Sequence, residues 1–270
     1  MTEDYLRRFG GIARLYGTEG LERLSRAKVA VIGLGGVGSW AVESLARSGI
    51  GALRLVDMDD LCITNVNRQL PALTETVGRS KAHVLKDRIA AIAPECEVET
   101  QESFYTPNSC AEVLGGDLDY VLDAIDTRKN KAHLLSSCRD YEIPVVTCGG
   151  AGGRRDPTCL HVDDMIRCYG DALLSKVRRR MREVYGFPMG GQKKPKIFRI
   201  EAVFSDEFPA YPTCDGRVTE RKDEALEGST INCDSGFGSV THVTGTFGFV
   251  AAGRVVHHIA AGTCTAPRPR

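Results

Sequence analysis

The 270-residue sequence predicts an α/β protein: an open, mainly parallel sheet with helices on both faces and a C-terminal extension that returns to the core. Three observations carry this. Short β-branched runs alternate with longer mixed runs through residue 150, the pattern of strands joined by crossover helices. A glycine cluster, "GLGGVG" (33–38), falls between the first such run and the helix after it. Acidic residues and glycines gather at the C-terminal ends of the strand-like runs, the edge at which open α/β sheets hold their ligands.

The N-terminal segment reads as a helical arm. "AKVAVIGLGG" is a strand entering the glycine turn, and "GSWAVESLARSGI" a helix with Trp40, Ala41, Leu45 and Ala46 among its apolar positions. "GALRLVDMD" is the next strand, and "SKAHVLKDRIAAIAP" a helix opened by Ser80 and ended by Pro94. "CEVETQES" is a half-exposed strand, "LDYVLDAID" a strand ending in acids, and "TRKNKAHLLSSCRDYE" a helix. "IPVVTCGGAGG" is a strand entering a second glycine turn. Beyond residue 153 the alternation breaks. "LHVDDM" is a short strand, "DALLSKVRRRMREVYG" a basic amphipathic helix and "PKIFRIEAVFSDE" an extended run. Residues 212–232 are polar and read as a long loop, and a last helix is expected from about 237 to 258. The predicted division is a nucleotide-binding half with its helical arm, 1–153, and an extension packed on the same core, 154–270.

Formal net charge is zero, so contact with a polyanion must be local. The N-terminus carries basic residues without the apolar core of a signal peptide, which predicts a cytoplasmic protein. None of the 10 cysteines forms a CxxC pair, so neither a structural zinc knuckle nor a thioredoxin-type pair is expected. "GFGSVTHVTGTFGFVAAG" (236–253) has no formal charge, but its threonines, glycines and His242 predict a helix buried on the sheet rather than a membrane span.

The glycine turn lets the backbone approach a diphosphate, and the helix behind it offers free N–H groups and a positive dipole end. NAD and ATP both present a ribose, which Asp57 at the end of the second strand can accept from. Residues beyond Asp57 discriminate. Hydride transfer needs little further positive charge, whereas breaking an ATP phosphoanhydride requires that the oxygens gaining charge be neutralised by arginine, lysine and magnesium. Arg68 and Lys81 supply that charge, with Asn65 and Gln69 as neutral donors. Asp57, Asp59, Asp123 and Asp126 close a ring suited to a metal-bound phosphate.

Taken together, "GLGGVG", "VDMDD", "TNVNRQ", "VGRSKA" and "DAID" make the chain similar to the ubiquitin-activating-enzyme superfamily, whose bacterial members adenylate the C-terminal carboxylates of small sulfur-carrier proteins. The resemblance implies ATP and Mg2+ as cofactors. It places Gly35 and Gly36, with Gly33 in the same turn, beneath the nucleotide, and Asp57 on the ribose. Asn65, Arg68 and Lys81 fall on the phosphates, and Asp123 on the metal or the reacting phosphate. It also implies a homodimer in which Arg14 reaches the phosphates of the neighbouring subunit. "RFGGIARLYG", "TCGGAGG", "EAVFSDE" and "DSGFGSVTHVTGTFGFVAAG" narrow the match, closely resembling the tRNA threonylcarbamoyladenosine dehydratases. That family uses ATP to cyclise the threonylcarbamoyl group on the adenosine beside a tRNA anticodon, which implies a tRNA partner. The alternative is adenylation of a sulfur-carrier C-terminus, or sulfur relay with a cysteine desulfurase or sulfur-acceptor protein.

Cys233 stands between the polar stretch and the start of the last helix, where a helix N-terminus lowers a thiol pKa; a packed, inert cysteine is the competing reading. "KVRRRMR" (176–182) and "QKKPK" (192–196) are the local basic segments fit for RNA phosphates, with 212–232 as a cover over the modified base. A monovalent cation near "CGGAGG" is a further candidate. The residues leave open whether activation transfers an adenylyl or a phosphoryl group; superfamily precedent favours adenylyl.

Overall fold

Valine, leucine and isoleucine fill strands that are covered on both faces, which is why β1 (Lys28–Ile32) and β2 (Ala52–Val56) are each buried at every position after the first. The computed structural model describes residues 1–189, 197–213, 215–221 and 237–264. Five further strands, β3 (Glu97–Gln101), β4 (Tyr120–Asp123), β5 (Val145–Cys148), β6 (Leu160–Asp164) and β7 (Glu201–Ser205), complete a 7-stranded sheet of order β3-β2-β1-β4-β5-β7-β6. Every neighbouring pair is parallel except β6 with β7. Strand order reverses between β1 and β4, whose last residues, Ile32 and Asp123, lie side by side. That reversal opens a crevice at the C-terminal edge.

Helices α1 (Glu3–Arg26), α2 (Gly38–Arg47), α3 (Lys81–Ile92) and α7 (Thr241–Ala261) bury apolar side chains on one face. The other face is covered by α4 (Cys110–Leu114), α5 (Arg128–Asp140) and α6 (Ala172–Tyr185). The last helix is therefore part of the first half's core. Its approach to α2 depends on Gly248, where a Cβ would meet the Val37 carbonyl oxygen at 2.5 Å and the Ala41 nitrogen at 2.9 Å. α1 bends at Gly17 (φ 78°) and runs under the opposite, N-terminal edge of the sheet, where the Tyr5 hydroxyl donates to the Gly49 carbonyl at 2.5 Å.

Two expectations change. Within the segment expected to be loop, Tyr211–Pro212 (β8) pairs antiparallel with Val218–Thr219 (β9) around a turn in which the Arg217 N–H bonds to the Asp215 carboxylate at 3.2 Å. The polar turn residues conceal strands too short to show a period; residues 222–232 lie outside the described set. The last helix begins at Thr241 rather than near 237. Among the described residues no helix is long and apolar enough to cross a membrane.

Candidate active site

The crevice floor is the turn from β1 to α2. Gly33 has φ 90°, its N–H donates to the Val56 carbonyl at 2.9 Å, and a Cβ there would meet the Ala124 carbonyl oxygen at 2.9 Å. A Cβ on Gly38 would overlap the Gly33 carbonyl, so the turn closes flat only with glycine at both ends. No side chain caps the start of α2 at Val37, leaving its first N–H groups for an anion. Above the middle of the turn, a Cβ on Gly35 would come 4.0 Å from Gln69 Nε2, and one on Gly36 would touch Thr244 and Arg68.

Asp57 joins strand to turn. Its Oδ2 accepts from the Leu34 N–H at 2.6 Å and its Oδ1 from the Asp59 N–H at 2.9 Å, while the carboxylate stays partly exposed. Asp59 pairs at 2.7 Å with Lys81, whose side chain is only 7% exposed at the first position of α3. Asn65 is buried, and its Oδ1 accepts from the Cys62 N–H at 3.0 Å, closing the single helical turn Ile63–Asn65. Arg68 is partly exposed, and its Nη1 donates to the Thr64 carbonyl at 2.7 Å and to Asn67 Oδ1 at 3.0 Å. Gln69 is buried, and its Oε1 finds no hydrogen-bond partner among the described residues. Contacts thus spread from the turn Gly33, Gly35 and Gly36 along two branches: through Asp57 and Asp59 to Lys81, and from Gly36 to Arg68, whose N–H, like that of Gln69, donates to the Asn65 carbonyl.

Asp123, expected on the metal or the reacting phosphate, is enclosed. Its Oδ2 accepts from the Thr147 hydroxyl at 2.7 Å and lies 2.9 Å from Lys131 Nζ, and its Oδ1 accepts from the Ile125 N–H at 3.0 Å. Neither the Asp123 nor the Lys131 side chain is exposed at all, and Lys131 also donates to the Ile125 carbonyl at 2.8 Å. Asp126, three residues on, is exposed at the mouth of the crevice and among the described residues accepts only a long 3.4 Å bond from the Thr127 hydroxyl. Lys131 escaped the sequence reading because "TRKNKAHLL" offers three cations. Its only signal is helical spacing, which puts it on one face with Leu134, Leu135 and Cys138, all buried.

The start of α7 forms the far wall. The Thr241 hydroxyl donates to the Asn67 carbonyl at 2.5 Å, Asn67 Nδ2 donates to the Ser239 carbonyl at 2.8 Å, and the Thr244 hydroxyl donates to the Arg68 carbonyl at 3.3 Å. Asn67, Thr244 and Trp40, whose Nε1 donates to the Arg68 carbonyl at 3.1 Å, are supporting residues the sequence reading missed.

Arg14 is not brought to this crevice: it lies exposed on α1, at the opposite edge of the sheet. Cys233 and "QKKPK" lie outside the described residues. On α6, Arg178 donates to the Met165 carbonyl at 3.0 Å, Arg179 pairs with Glu183 at 2.7 Å and Arg182 donates to the Pro188 carbonyl at 3.2 Å, so much of its charge is spent internally. Burial pushes the thiols of Cys96, Cys148 and Cys168 up to about 12, which makes them poor nucleophiles.

The family model described as the ThiF family matches residues 7–268. A tRNA threonylcarbamoyladenosine dehydratase of Haemophilus influenzae is 46% identical over 254 residues, 94% of each chain. The solved structure named TcdA (CsdL) superposes with a TM-score of 0.86 at 42% identity, covering 97% of each chain. The Escherichia coli tRNA N6-threonylcarbamoyladenosine dehydratase, TcdA, solved in complex with ATP, superposes with a TM-score of 0.83 at 41% identity over 97% of each chain. The chain therefore belongs to the ThiF family and, within it, to the tRNA threonylcarbamoyladenosine dehydratases.

Proposed function

We propose that this protein uses ATP to dehydrate threonylcarbamoyladenosine in tRNA, activating the side-chain carboxylate and closing it into a ring. The observation that carries this reading is the glycine turn at the uncapped start of α2, with Arg68 against Gly36 on one side and Lys81 joined to it through Asp57 and Asp59 on the other.

A carboxylate is a poor electrophile because its leaving group would be oxide. Its oxygen attacks a phosphorus of ATP and a phosphoanhydride bond breaks. The carbamoyl group of the same substrate then attacks the activated acyl carbon, and the original carboxylate oxygen departs on phosphorus; two protons complete the net loss of water. No protein nucleophile is needed, and holding the two reacting groups together supplies much of the rate. Arg68 and Lys81 neutralise the phosphate oxygens that gain charge, Asn65 and Gln69 support the segment carrying Arg68, and Asp57 accepts from the ribose. Superfamily precedent favours adenylyl as the transferred group.

Among the described residues no three carboxylate, imidazole or thiol side chains converge to hold a metal unaided. A single carboxylate is nonetheless what Mg2+ takes when phosphates and water supply its other oxygens. Asp126 is exposed at the crevice and fits that part, whereas Asp123 has its oxygens engaged. The metal role assigned to Asp123 accordingly passes to Asp126, with Asp123 as its support. When bound there, the metal offsets phosphate charge.

In the same proposal, residues 1–153 form the nucleotide half and 154–270 the substrate-facing extension. Arg14, remote from its own crevice, serves that of a partner in a homodimer. A monovalent cation beside the turn 149–153 would take backbone carbonyls. A sulfur-relay partner would act through Cys233.

Mass spectrometry of tRNA nucleosides after incubation with protein and ATP tests the function. Loss of one water from the threonylcarbamoyl nucleoside is expected; an unchanged mass with folded protein sinks the reading.

A further inference from the structure

Arg154 leaves the second glycine turn, 149–153, and is only 4% exposed. Its Nη2 donates to the Gly170 carbonyl at 3.2 Å, but Nε and Nη1 are buried and find no hydrogen-bond partner among the described residues. A guanidinium stays charged at any physiological pH and carries five N–H donors, so enclosing it with donors unmet is costly. Folded proteins keep such a group where something from outside meets it.

The neighbouring acids are otherwise engaged. Asp171 accepts from the Gly150 and Leu174 N–H groups, each at 2.8 Å, Asp206 pairs with His161 at 3.0 Å, and Glu207 accepts from the Arg155 and Asp156 N–H groups at 2.9 and 3.0 Å. Among the described residues none forms an ion pair with Arg154.

The position borders the crevice. β5 lies beside β4 in the sheet, so its glycine turn shares the C-terminal edge with Asp126. The Gly153 N–H donates to the Gly238 carbonyl at 2.8 Å and the Arg155 carbonyl bonds to His242 at 3.0 Å, fastening this turn to the end of α7 that also docks on Asn67 and Arg68. Gly150 has room above it, since a Cβ there would find nothing nearer than 4.0 Å. Tyr169, next to Gly170, and Phe208, two residues beyond Asp206, are 56% and 75% exposed, surfaces on which an unpaired base can stack.

We propose that Arg154 is the receptor for the substrate's carboxylate, holding it for activation. Nε and Nη1 each share an edge of the planar fork with Nη2, whose two hydrogens face one edge each; one is spent on the Gly170 carbonyl, so a carboxylate is met by two parallel N–H bonds along the edge that bond leaves free. Enclosure decides the kind of oxyanion: a carboxylate is small and planar enough to be enclosed, whereas a polynucleotide phosphate cannot leave its backbone to be so. The assignment rests on the dehydratase reading and deepens it by naming the group that tells modified from unmodified tRNA.

The experiment compares wild type with Arg154→Met and Arg154→Lys in melting temperature, ATP KM, and affinity for tRNA with and without the threonylcarbamoyl group. Arg154→Met is expected to keep the ATP KM and to melt no lower than wild type, because it removes an unpaired buried charge. It should lose at least about tenfold of the preference for modified tRNA, the value of one charged hydrogen-bonded contact, and Arg154→Lys should recover part of it. A lowered melting temperature with the preference intact would make Arg154 structural and overturn the assignment. Equal weakening on both tRNAs with a shallower salt dependence would make it a phosphate contact and overturn it as well. Wild-type protein without any preference for the modified tRNA would remove both this assignment and the dehydratase reading, whereas the two outcomes before it leave that reading standing.

Discussion

Lys131 Nζ lies 2.9 Å from Asp123 Oδ2, with both side chains closed off from solvent at the end of β4. Removing one partner strands the other as a buried charge, at a cost of about 3–5 kcal/mol. Lys131→Met should lower unfolding free energy by that order in urea titration, and Asp123→Asn with Lys131→Met should recover much of the loss. A double variant as unstable as the sum of the singles would show that the pair is not coupled.

Asp123 and Asp126 should separate in their effects. Asp126→Asn is expected to melt as wild type does and to lose about a hundredfold or more in turnover, with a raised Mg2+ requirement. Asp123→Asn should lose stability first. Denaturation curves beside turnover at several Mg2+ concentrations check both, and an active Asp126→Asn enzyme would return the metal role to another group.

Arg68→Ala should abolish dehydration while the protein stays folded, since among the described residues the guanidinium bonds only to the Thr64 carbonyl and the Asn67 side chain. Circular dichroism and nucleoside mass spectrometry decide this. Turnover at the wild-type rate would refute the role given to the arginine.

Two carboxylates, the buried Glu43 and the partly buried Glu201, set the acid limit. Burial alone would raise Glu43, but hydrogen bonds from Arg88 at 2.6 Å and Arg47 at 2.7 Å outweigh it and hold its pKa below the usual value. Glu201 is lowered in the same way by Arg254 at 2.8 Å and His258 at 3.1 Å. A depressed carboxylate contributes stability above its unfolded pKa of about 4.5, and loses it as pH falls through the folded value. Melting temperature should therefore hold from neutral pH to about 5 and drop below about 4.5, with a smaller drop in Glu43→Gln. Melts recorded across that range test it.

Gly248→Val should push α7 away from α2, costing about 1–3 kcal/mol for overpacking. Because the clash is with the Val37 carbonyl at the start of α2, affinity for an ATP analogue should fall too. Unchanged binding in a destabilised variant would uncouple that contact from the glycine turn.

The parallel sheet and its glycine turn were legible because steric demands write themselves into sequence: β-branched runs, then glycines where Cβ atoms would collide, as at Gly33 and Gly38. Asp57, Arg68 and Lys81 could be read from their order after that turn. Asp123 and Asp126 could not be told apart, since both end a strand and only burial distinguishes the structural carboxylate from the accessible one. Lys131 and Arg154 were hidden for a related reason: a lysine or arginine reads as solvated until tertiary packing turns it inward. Arg14 is local in sequence to a helical arm that packs at the wrong edge, so any part it plays in catalysis depends on a second chain.

α7 supplies Val243, Phe247, Ala251 and Val255 to the apolar interior that the first half of the chain builds. During synthesis the glycine turn and its five parallel strands, β1 to β5, are complete long before that wall exists. At about 5–20 residues per second, the ribosome needs seconds more before α7 can dock. Until then the α2 face is bare, so the nascent nucleotide half is the stage at which a chaperone has something to hold.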